Sequence, residues 1–213
     1  MTPDQRYPAL LVEWLSPIYD LFVRLFLPEV RFKRALINHA RIAPGHRVLD
    51  LGAGTGTLAI MINQIQPEAQ VIGIDGDPKI LSIAQEKASR SGVEISFQPG
   101  DASALPYSDA SFNRVLSSLV ISLLSSTEKT FVIREVYRVL KSSGELHIAD
   151  FGKPHTRWGR MVAPHVRRFE PIIDNLEGRL PVIFQETGFA RVEEAARFAT
   201  IFGTISILSG QKP

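Results

Sequence analysis

Three acidic residues and one glycine-rich turn carry the strongest chemical signal in this sequence. Asp50 lies in a short apolar run at 47–51, and the turn follows that run directly. The turn comprises Gly52, Ala53, Gly54 and Gly56. Glycines between a buried strand and a helix let the backbone approach a ligand closely, and the start of the helix offers unpaired N–H groups to an anion. The segment therefore predicts a ligand site.

The position of Asp50 indicates the charge of that ligand. Dinucleotide-binding turns use the pattern G-x-G-x-x-G, whereas the spacing here is G-x-G-x-G. A carboxylate beside a pyrophosphate is repulsive, but beside an ammonium or a sulfonium it is attractive. The turn therefore favours a ligand with a cationic part over a dinucleotide.

Two further acids follow the next two predicted strands. Asp75 ends the second apolar run and is followed by Gly76. An acid about 20 residues after such a turn can accept both hydroxyls of a ribose. Asp101 and Ala102 follow the third run, where a carboxylate and a backbone N–H can bind the edge of an adenine. Ligands bind at the carboxyl ends of parallel strands, so we expect one nucleoside crevice there.

The elements that position these residues alternate between strand and helix from residue 46 onwards. Strands are predicted at 47–51, 70–75, 93–97, 112–118 and 145–149, and helices at 58–65, 77–92, 125–140 and 180–187. This alternation predicts an α/β fold, a doubly wound, mostly parallel seven-stranded sheet of the Rossmann-like kind. Two strand-like runs, 192–199 and 204–208, predict a C-terminal antiparallel hairpin. Helical spacing over 7–41, interrupted at Pro17 and Pro28, predicts an N-terminal helical cap over residues 1–44.

Local signals predict where some helices begin and which faces they bury. Asp77 before Pro78 is typical of a helix start, and Ser125 with Glu128 has capping-box spacing. Gly92 suits a helix end. The second helix is predicted to bury Ile80, Ile83, Ala84 and Ala88, and the third to bury Val132, Val136, Val139 and Leu140.

Composition narrows the function classes. The chain has no cysteine, which excludes disulfides, a cysteine-based metal site and a cysteine nucleophile, and fits a cytoplasmic location. We expect no bound metal. The net charge of +2 does not indicate a nucleic-acid partner. The apolar segment 18–27 contains Asp20 and Arg24, so we expect no transmembrane segment, and the N-terminus shows no signal peptide.

Residues from about 45 to 151 resemble the class I methyltransferases that use S-adenosylmethionine (SAM). The resemblance lies in the glycine turn, the segments 73–81 and 100–102, the fourth-strand motif 111–118 and the turn at 139–146. The residues in these motifs most resemble the branch of ubiquinone/menaquinone-biosynthesis C-methyltransferases and other small-molecule methyltransferases. The resemblance implies a SAM-binding domain over 45–213, a substrate-facing insert at about 151–180, and S-adenosylhomocysteine as a product.

The resemblance also implies a role for each motif residue. Asp50, Gly52 and Gly54 would lie near the methionine end of SAM, Asp75 would hold the ribose, Ile80 would pack on the adenine, Asp101 and Ala102 would bind its edge, and Ser117 and Ser118 would line the floor near the sulfonium. The sequence departs from the family at Asn113, where Asp is usual, and at Ser122-Leu123, where a His pair is common.

The sequence leaves the catalytic group open. A base is needed only if the acceptor must lose a proton, and the candidates near the expected mouth are His155, His165, Asp150 and Tyr19. The aromatic N-terminal segment and the insert at 158–169 favour a small hydrophobic acceptor, quinone- or lipid-like, although these aromatic residues could instead pack on the core. Residues 153–168 contain five Lys or Arg and no acid. They are either a basic rim over an anionic or lipid-bound substrate or a solvated loop.

Three alternatives stay open at this point. A nicotinamide-dependent oxidoreductase could use a related fold, a non-catalytic SAM-binding protein could act as a partner, and the acceptor could be a protein or an RNA. The glycine spacing argues against the first, and the absence of an Asn-Pro-Pro-Tyr motif argues against the last. We expect a monomer or a homodimer, and peripheral membrane contact is compatible with the sequence.

Overall fold

The computed structural model describes residues 29–213, which form a seven-stranded sheet with helices on both faces. The strands are β1 (Arg47–Leu51), β2 (Gln70–Asp75), β3 (Ser96–Pro99), β4 (Phe112–Ser118), β5 (Leu140–Phe151), β6 (Ala190–Thr200) and β7 (Gly203–Gln211). The helices are α1 (Glu29–Ala40), α2 (Thr57–Ile65), α3 (Pro78–Arg90), α4 (Ser126–Val139), α5 (Arg157–Val166), α6 (Ile173–Glu177) and α7 (Leu180–Thr187), with 3-10 turns at Ile121–Leu123 and Glu170–Ile172. Residues 1–28, with Tyr19 and most of the predicted cap, lie outside the described part.

The strand order is β3-β2-β1-β4-β5-β7-β6. Strands β1 to β5 run parallel, and β7 pairs antiparallel with both β5 and β6. The predicted doubly wound sheet with a C-terminal antiparallel hairpin is therefore confirmed. The carboxyl ends of the parallel strands form one edge of the sheet, and β7 begins at that same edge.

Two apolar clusters lie on opposite faces of the sheet. Val48 belongs to the cluster beneath α1, α2 and α3, and Leu49 belongs to the cluster beneath α4 and α7. Both side chains are fully buried, as expected for a central strand covered on both faces. Successive residues of one strand thus anchor both helical layers around the predicted crevice.

The predicted helix starts are confirmed by hydrogen bonds. The Asp77 side chain accepts from the Lys79 N–H at 2.8 Å, with Pro78 in the first turn. Ser125 and Glu128 form the reciprocal bonds of a capping box at the start of α4. Gly92 follows the end of α3 with a φ of +68°, in the left-handed conformation that terminates helices.

The predictions for β3 and for one face of α3 were correct only in part. The strand covers Ser96–Pro99 rather than 93–97, because the Val93 N–H still donates to the Ala88 carbonyl in the termination of α3. Helix α3 buries Leu81, Ala84 and Ala88, whereas Ile83 is largely exposed. The buried face of α3 therefore begins at Leu81, one residue after Ile80.

The boundaries around β5 also differ from the prediction. Leu140 is the first residue of the strand rather than the last of a helical stripe, and its backbone is extended. It pairs with Phe112, and the register then shifts so that Arg114 pairs with Glu145. The residues between form an irregularity in which Ser143 has a φ of +61°. The insert at 151–180, to which the sequence assigned no element, contains α5 and α6.

Candidate cofactor-binding site

The glycine turn is fixed to the end of β2 by backbone hydrogen bonds. The N–H groups of Gly52 and Ala53 both donate to the Ile74 carbonyl at 2.9 Å. Gly52, Gly54 and Gly56 have φ values of +71°, +51° and +74°, which L side chains rarely adopt. A Cβ atom on Gly52 would lie 2.4 Å from Val120, so the turn has no space for a side chain there.

Asp50 is a buried acid that caps α2 from the preceding strand. Its Oδ2 accepts from the Ala59 N–H at 3.0 Å, and Gly56 at the helix start has no side chain to do so. Burial raises the pKa of Asp50 to about 7, against the opposing effects of Lys33 and the Ala59 N–H. The nearby Asp75 adds a further upward contribution. A positive charge brought to this place would therefore favour the ionised carboxylate.

Lys33 is a member of the site that the sequence analysis missed. It lies on α1, is largely buried, and its Nζ contacts Glu29 at 2.5 Å. Its charge acts on Asp50 from the layer above the sheet. A signal was present, because Lys33 occupies the same stripe of α1 as Leu36 and Ile37. A lysine within an apolar stripe indicates a buried charge with a partner.

Asp75 joins the glycine turn to the end of β3. Its Oδ2 accepts from the Gly54 N–H at 2.9 Å, and its Oδ1 accepts from the Asp77 N–H at 3.1 Å. Its backbone carbonyl accepts from the Gly100 N–H at 3.0 Å. The Cδ1 atom of Ile80 lies 4.0 Å from the place that a Cβ atom on Gly54 would occupy. Ribose, adenine and glycine motifs are thus brought to one part of the sheet edge.

Asp101 and Ala102 form the outer part of this arrangement. The Oδ1 atom of Asp101 accepts from the Ser103 N–H at 2.8 Å and from the Ser103 hydroxyl at 2.7 Å. Asp101 is exposed, whereas Ala102 packs against the cluster under α4. The carbonyl oxygen of Gly100 lies 4.0 Å from the place that a Cβ atom on Gly76 would occupy. The three predicted acids therefore lie along neighbouring strand ends.

The two serines at the end of β4 differ in their environment. Ser117 is fully buried, and its hydroxyl donates to the Leu51 carbonyl at 2.9 Å, which ties β4 to β1. The hydroxyl of Ser118 is buried and has no hydrogen-bond partner among the described residues. A buried hydroxyl without a partner is costly, so Ser118 marks a place where a ligand atom would compensate.

The hydrogen-bond partners of the described candidate bases belong to segments other than the glycine turn. The Nδ1 atom of His155 is 2.8 Å from the Thr204 hydroxyl at the start of β7, and His165 is exposed on α5. Asp150 accepts from the backbone N–H of Ser122 at 3.1 Å, and burial raises its pKa. Tyr19 lies outside the described residues. The geometry of His155, His165 and Asp150 identifies none of the three as a base.

The departure at Asn113 preserves a contact between strands. Its Oδ1 accepts from the Arg47 N–H at 3.0 Å and from the Lys141 Nζ at 3.2 Å. The amide oxygen of Asn113 therefore joins β4 to β1 and to the beginning of β5. Ser122, at the other departure, holds Asp150 through its backbone instead of presenting an imidazole.

A family model described as a methyltransferase domain matches residues 42–188. The chain belongs to this methyltransferase family. It is 34% identical over 165 residues to the demethylmenaquinone methyltransferase of Thermus thermophilus, covering 76% of this chain and 74% of that protein. It is 32% identical over 161 residues to a ubiquinone/menaquinone biosynthesis C-methyltransferase of Xanthomonas oryzae, covering 73% of this chain and 59% of that protein.

A solved structure supports the fold of this methyltransferase. Phosphoethanolamine N-methyltransferase 2 of Haemonchus contortus, in complex with S-adenosyl-L-methionine, matches with a TM-score of 0.69 at 20% identity. The match covers 86% of this chain and 52% of that one. The prediction of a SAM-dependent methyltransferase is confirmed at the level of the family, and family membership favours it over the oxidoreductase. No helix in the described part is long and apolar enough to cross a membrane.

Proposed function

We propose that this methyltransferase binds SAM in the crevice formed by the glycine turn, Asp50 and Asp75, and methylates a small hydrophobic acceptor of the quinone class. The names of the relatives in Thermus and Xanthomonas support the acceptor class. The observation that carries the binding site is the buried carboxyl of Asp50, whose pKa is raised to about 7 beside a glycine turn. The lack of cysteine supports a cytoplasmic location as part of this proposal.

The described residues fit SAM in three respects. The cost of ionising Asp50 is offset by a cationic ligand. Among the described residues beyond its chain neighbours, only Ile80 lies within 4.0 Å of the place that a Cβ atom on Gly54 would occupy, so SAM can approach the backbone there. The orphaned hydroxyl of Ser118 provides a polar contact at the end of β4.

Each residue then has a defined task. The Asp75 carboxylate uses each oxygen once on a backbone N–H, and each oxygen retains a lone pair for a ribose hydroxyl. Asp50 balances positive charge at the methionine end, and Ile80 offers an apolar surface to the adenine. SAM supplies a methyl group that the positive sulfur has already activated.

Positioning accounts for much of the rate in such a reaction. Alignment of two bound reactants is worth on the order of 7 to 11 kcal/mol in the best intramolecular cases. The rigid hydrogen bonds between Ser117 and β1 and between Asp75 and the glycine turn provide that alignment. We therefore propose that this chain acts mainly by orientation, and that it uses a base only as far as the acceptor requires one.

The direct test is a methyl-transfer assay with labelled SAM and a short-chain demethylated naphthoquinol or benzoquinol, supplied in the reduced form because its ring carbon is then nucleophilic. Phosphoethanolamine and arsenite serve as competing acceptors. We expect label in the quinone, and turnover with either competitor but not with the quinone would refute the acceptor class. Asp75→Asn should weaken SAM binding strongly, whereas Glu94→Gln, which removes an exposed carboxylate elsewhere, should not. Tighter binding of NAD than of SAM would refute the cofactor site.

A further inference from the structure

Helix α5, the residues that follow it and the turn between β6 and β7 carry a set of exposed apolar side chains. Its members are Trp158, Met161, Phe169 and Ile201, exposed by 51%, 58%, 51% and 41%. The indole N–H of Trp158 donates to the Ile201 carbonyl at 3.0 Å, which fixes the ring against the turn. We call this surface, with the basic residues around it, the α5 patch.

The charge of the α5 patch has one sign. Residues 153–168 contain Lys153, Arg157, Arg160, Arg167 and Arg168, and no Asp or Glu. Among the described residues, Arg167 forms an ion pair with Glu177, whereas Arg157, Arg160 and Arg168 form none. All three unpaired guanidinium groups belong to exposed residues. The patch therefore combines half-exposed apolar side chains with positive charge that no acid in residues 29–213 neutralises by an ion pair, apart from Glu177 at Arg167.

The α5 patch lies at the edge of the sheet that carries the crevice. Helix α5 follows the end of β5, where Phe151 pairs with Ile205 near the start of β7. Gly159 of α5 packs close to Thr204, whose hydroxyl is 3.6 Å from the Cβ position of the glycine. Because β4 and β5 are parallel, this is also the edge at which Ser118 ends β4.

We propose that the α5 patch docks on an anionic lipid surface. Single exposed apolar residues are ordinary on soluble proteins. Helix α5, however, combines the exposed Trp158 with Arg157 and Arg160, and aromatic and basic residues on one helix are typical of segments that lie in a membrane interface. Negatively charged lipids complement the exposed guanidinium groups of Arg157, Arg160 and Arg168. A second copy of the same patch would bring these like charges together and is therefore disfavoured. Docking would turn the crevice edge toward acceptors dissolved in the bilayer.

The test uses the full chain and vesicles of phosphatidylcholine, alone or with about one third phosphatidylglycerol. We expect sedimentation with the anionic vesicles only, and weaker binding as added salt shortens the range of the charges. Phe169→Glu and Arg168→Glu should each lower the partition coefficient by about tenfold or more. Phe131→Glu and Arg134→Glu on α4 are matched controls, because Phe131 is also 51% exposed and Arg134 is exposed. They should change binding by less than about twofold.

SAM binding and thermal unfolding of each variant distinguish loss of docking from loss of the fold. Equal effects of the patch variants and the α4 controls would overturn the proposal, and so would equal binding to neutral and anionic vesicles. Sedimentation velocity tests the competing occupant, a second copy. If Phe169→Glu dissociates an oligomer and leaves vesicle binding unchanged, the patch is a subunit interface and the proposal is wrong. Docking can hold whatever the acceptor is, so failure of the quinone assay does not affect it.

Discussion

Replacement of Asp50 by asparagine should have opposite effects on stability and on cofactor binding. Burial raises the pKa of Asp50 to about 7 in the folded chain, whereas an unfolded chain gives an aspartate a pKa of about 4. A carboxyl with a raised pKa stabilises the fold fully at low pH, and this contribution is lost as the pH rises through the folded value. Asparagine does not titrate, so it removes this dependence.

The magnitude follows from the size of the shift. About three pKa units at about 1.4 kcal/mol each amount to about 4 kcal/mol against the ionised form. Between pH 5 and pH 8, the free energy of unfolding of Asp50→Asn should therefore rise by about 2 to 3 kcal/mol relative to the parent chain. Asparagine keeps an oxygen for the Ala59 N–H but adds an amide donor, which costs about 1 to 3 kcal/mol at every pH.

Binding should respond in the other direction. At pH 8 the parent chain holds a carboxylate that attracts the cationic part of SAM, so Asp50→Asn should weaken binding by about 10- to 100-fold. At pH 6, where Asp50 is largely protonated before binding, the difference should shrink by about tenfold. Urea unfolding without cofactor and calorimetric titration with SAM measure the two effects, with Glu94→Gln as the control. A stability difference that does not change between pH 5 and pH 8 would refute the reasoning.

Three further substitutions test the scaffold of the site. Gly52→Ala should destabilise the fold by about 2 kcal/mol or more, because the new side chain clashes with Val120 and the backbone has a left-handed φ. In urea unfolding, the additional substitution Val120→Ala should recover part of this loss. A double variant that recovers no stability would contradict the clash. Lys33→Met should raise the pKa of Asp50 further, because it removes a positive charge that lowers this pKa. When SAM affinity is measured against pH, the midpoint of its rise should shift to higher pH. Ser117→Ala should cost about 0.5 to 1.5 kcal/mol in urea unfolding by removing the buried hydrogen bond to the Leu51 carbonyl.

Those parts of the fold that depend on local spacing were predictable. The alternation of apolar runs and helices gave the sheet, and Asp77 and Ser125 marked two helix starts because capping depends on residues a few positions apart. The proposal of Asp50 and Asp75 has a related basis, since Asp75 ends a strand before Gly76 and Asp50 lies two residues before Gly52. Family resemblance added the cofactor, which spacing alone left as a cationic nucleoside.

The remainder depends on contacts between distant residues. The start of β5 at Leu140 is set by pairing with Phe112, which helical spacing cannot reveal. Lys33 became part of the site only when α1 packed over β4 and β5 and its charge could act on Asp50. Helix α5 was hidden because Gly159 and Pro164 interrupt the pattern that indicates a helix.

The position of β7 imposes an order on assembly during synthesis. This strand leaves the ribosome after β6, yet it lies between β5 and β6 in the sheet. Until β7 arrives, β6 has no partner and β5 presents an open edge of unpaired N–H and C=O groups. We therefore expect chains that stop within β7 to aggregate through these two edges, even though the glycine turn and its acids are already complete.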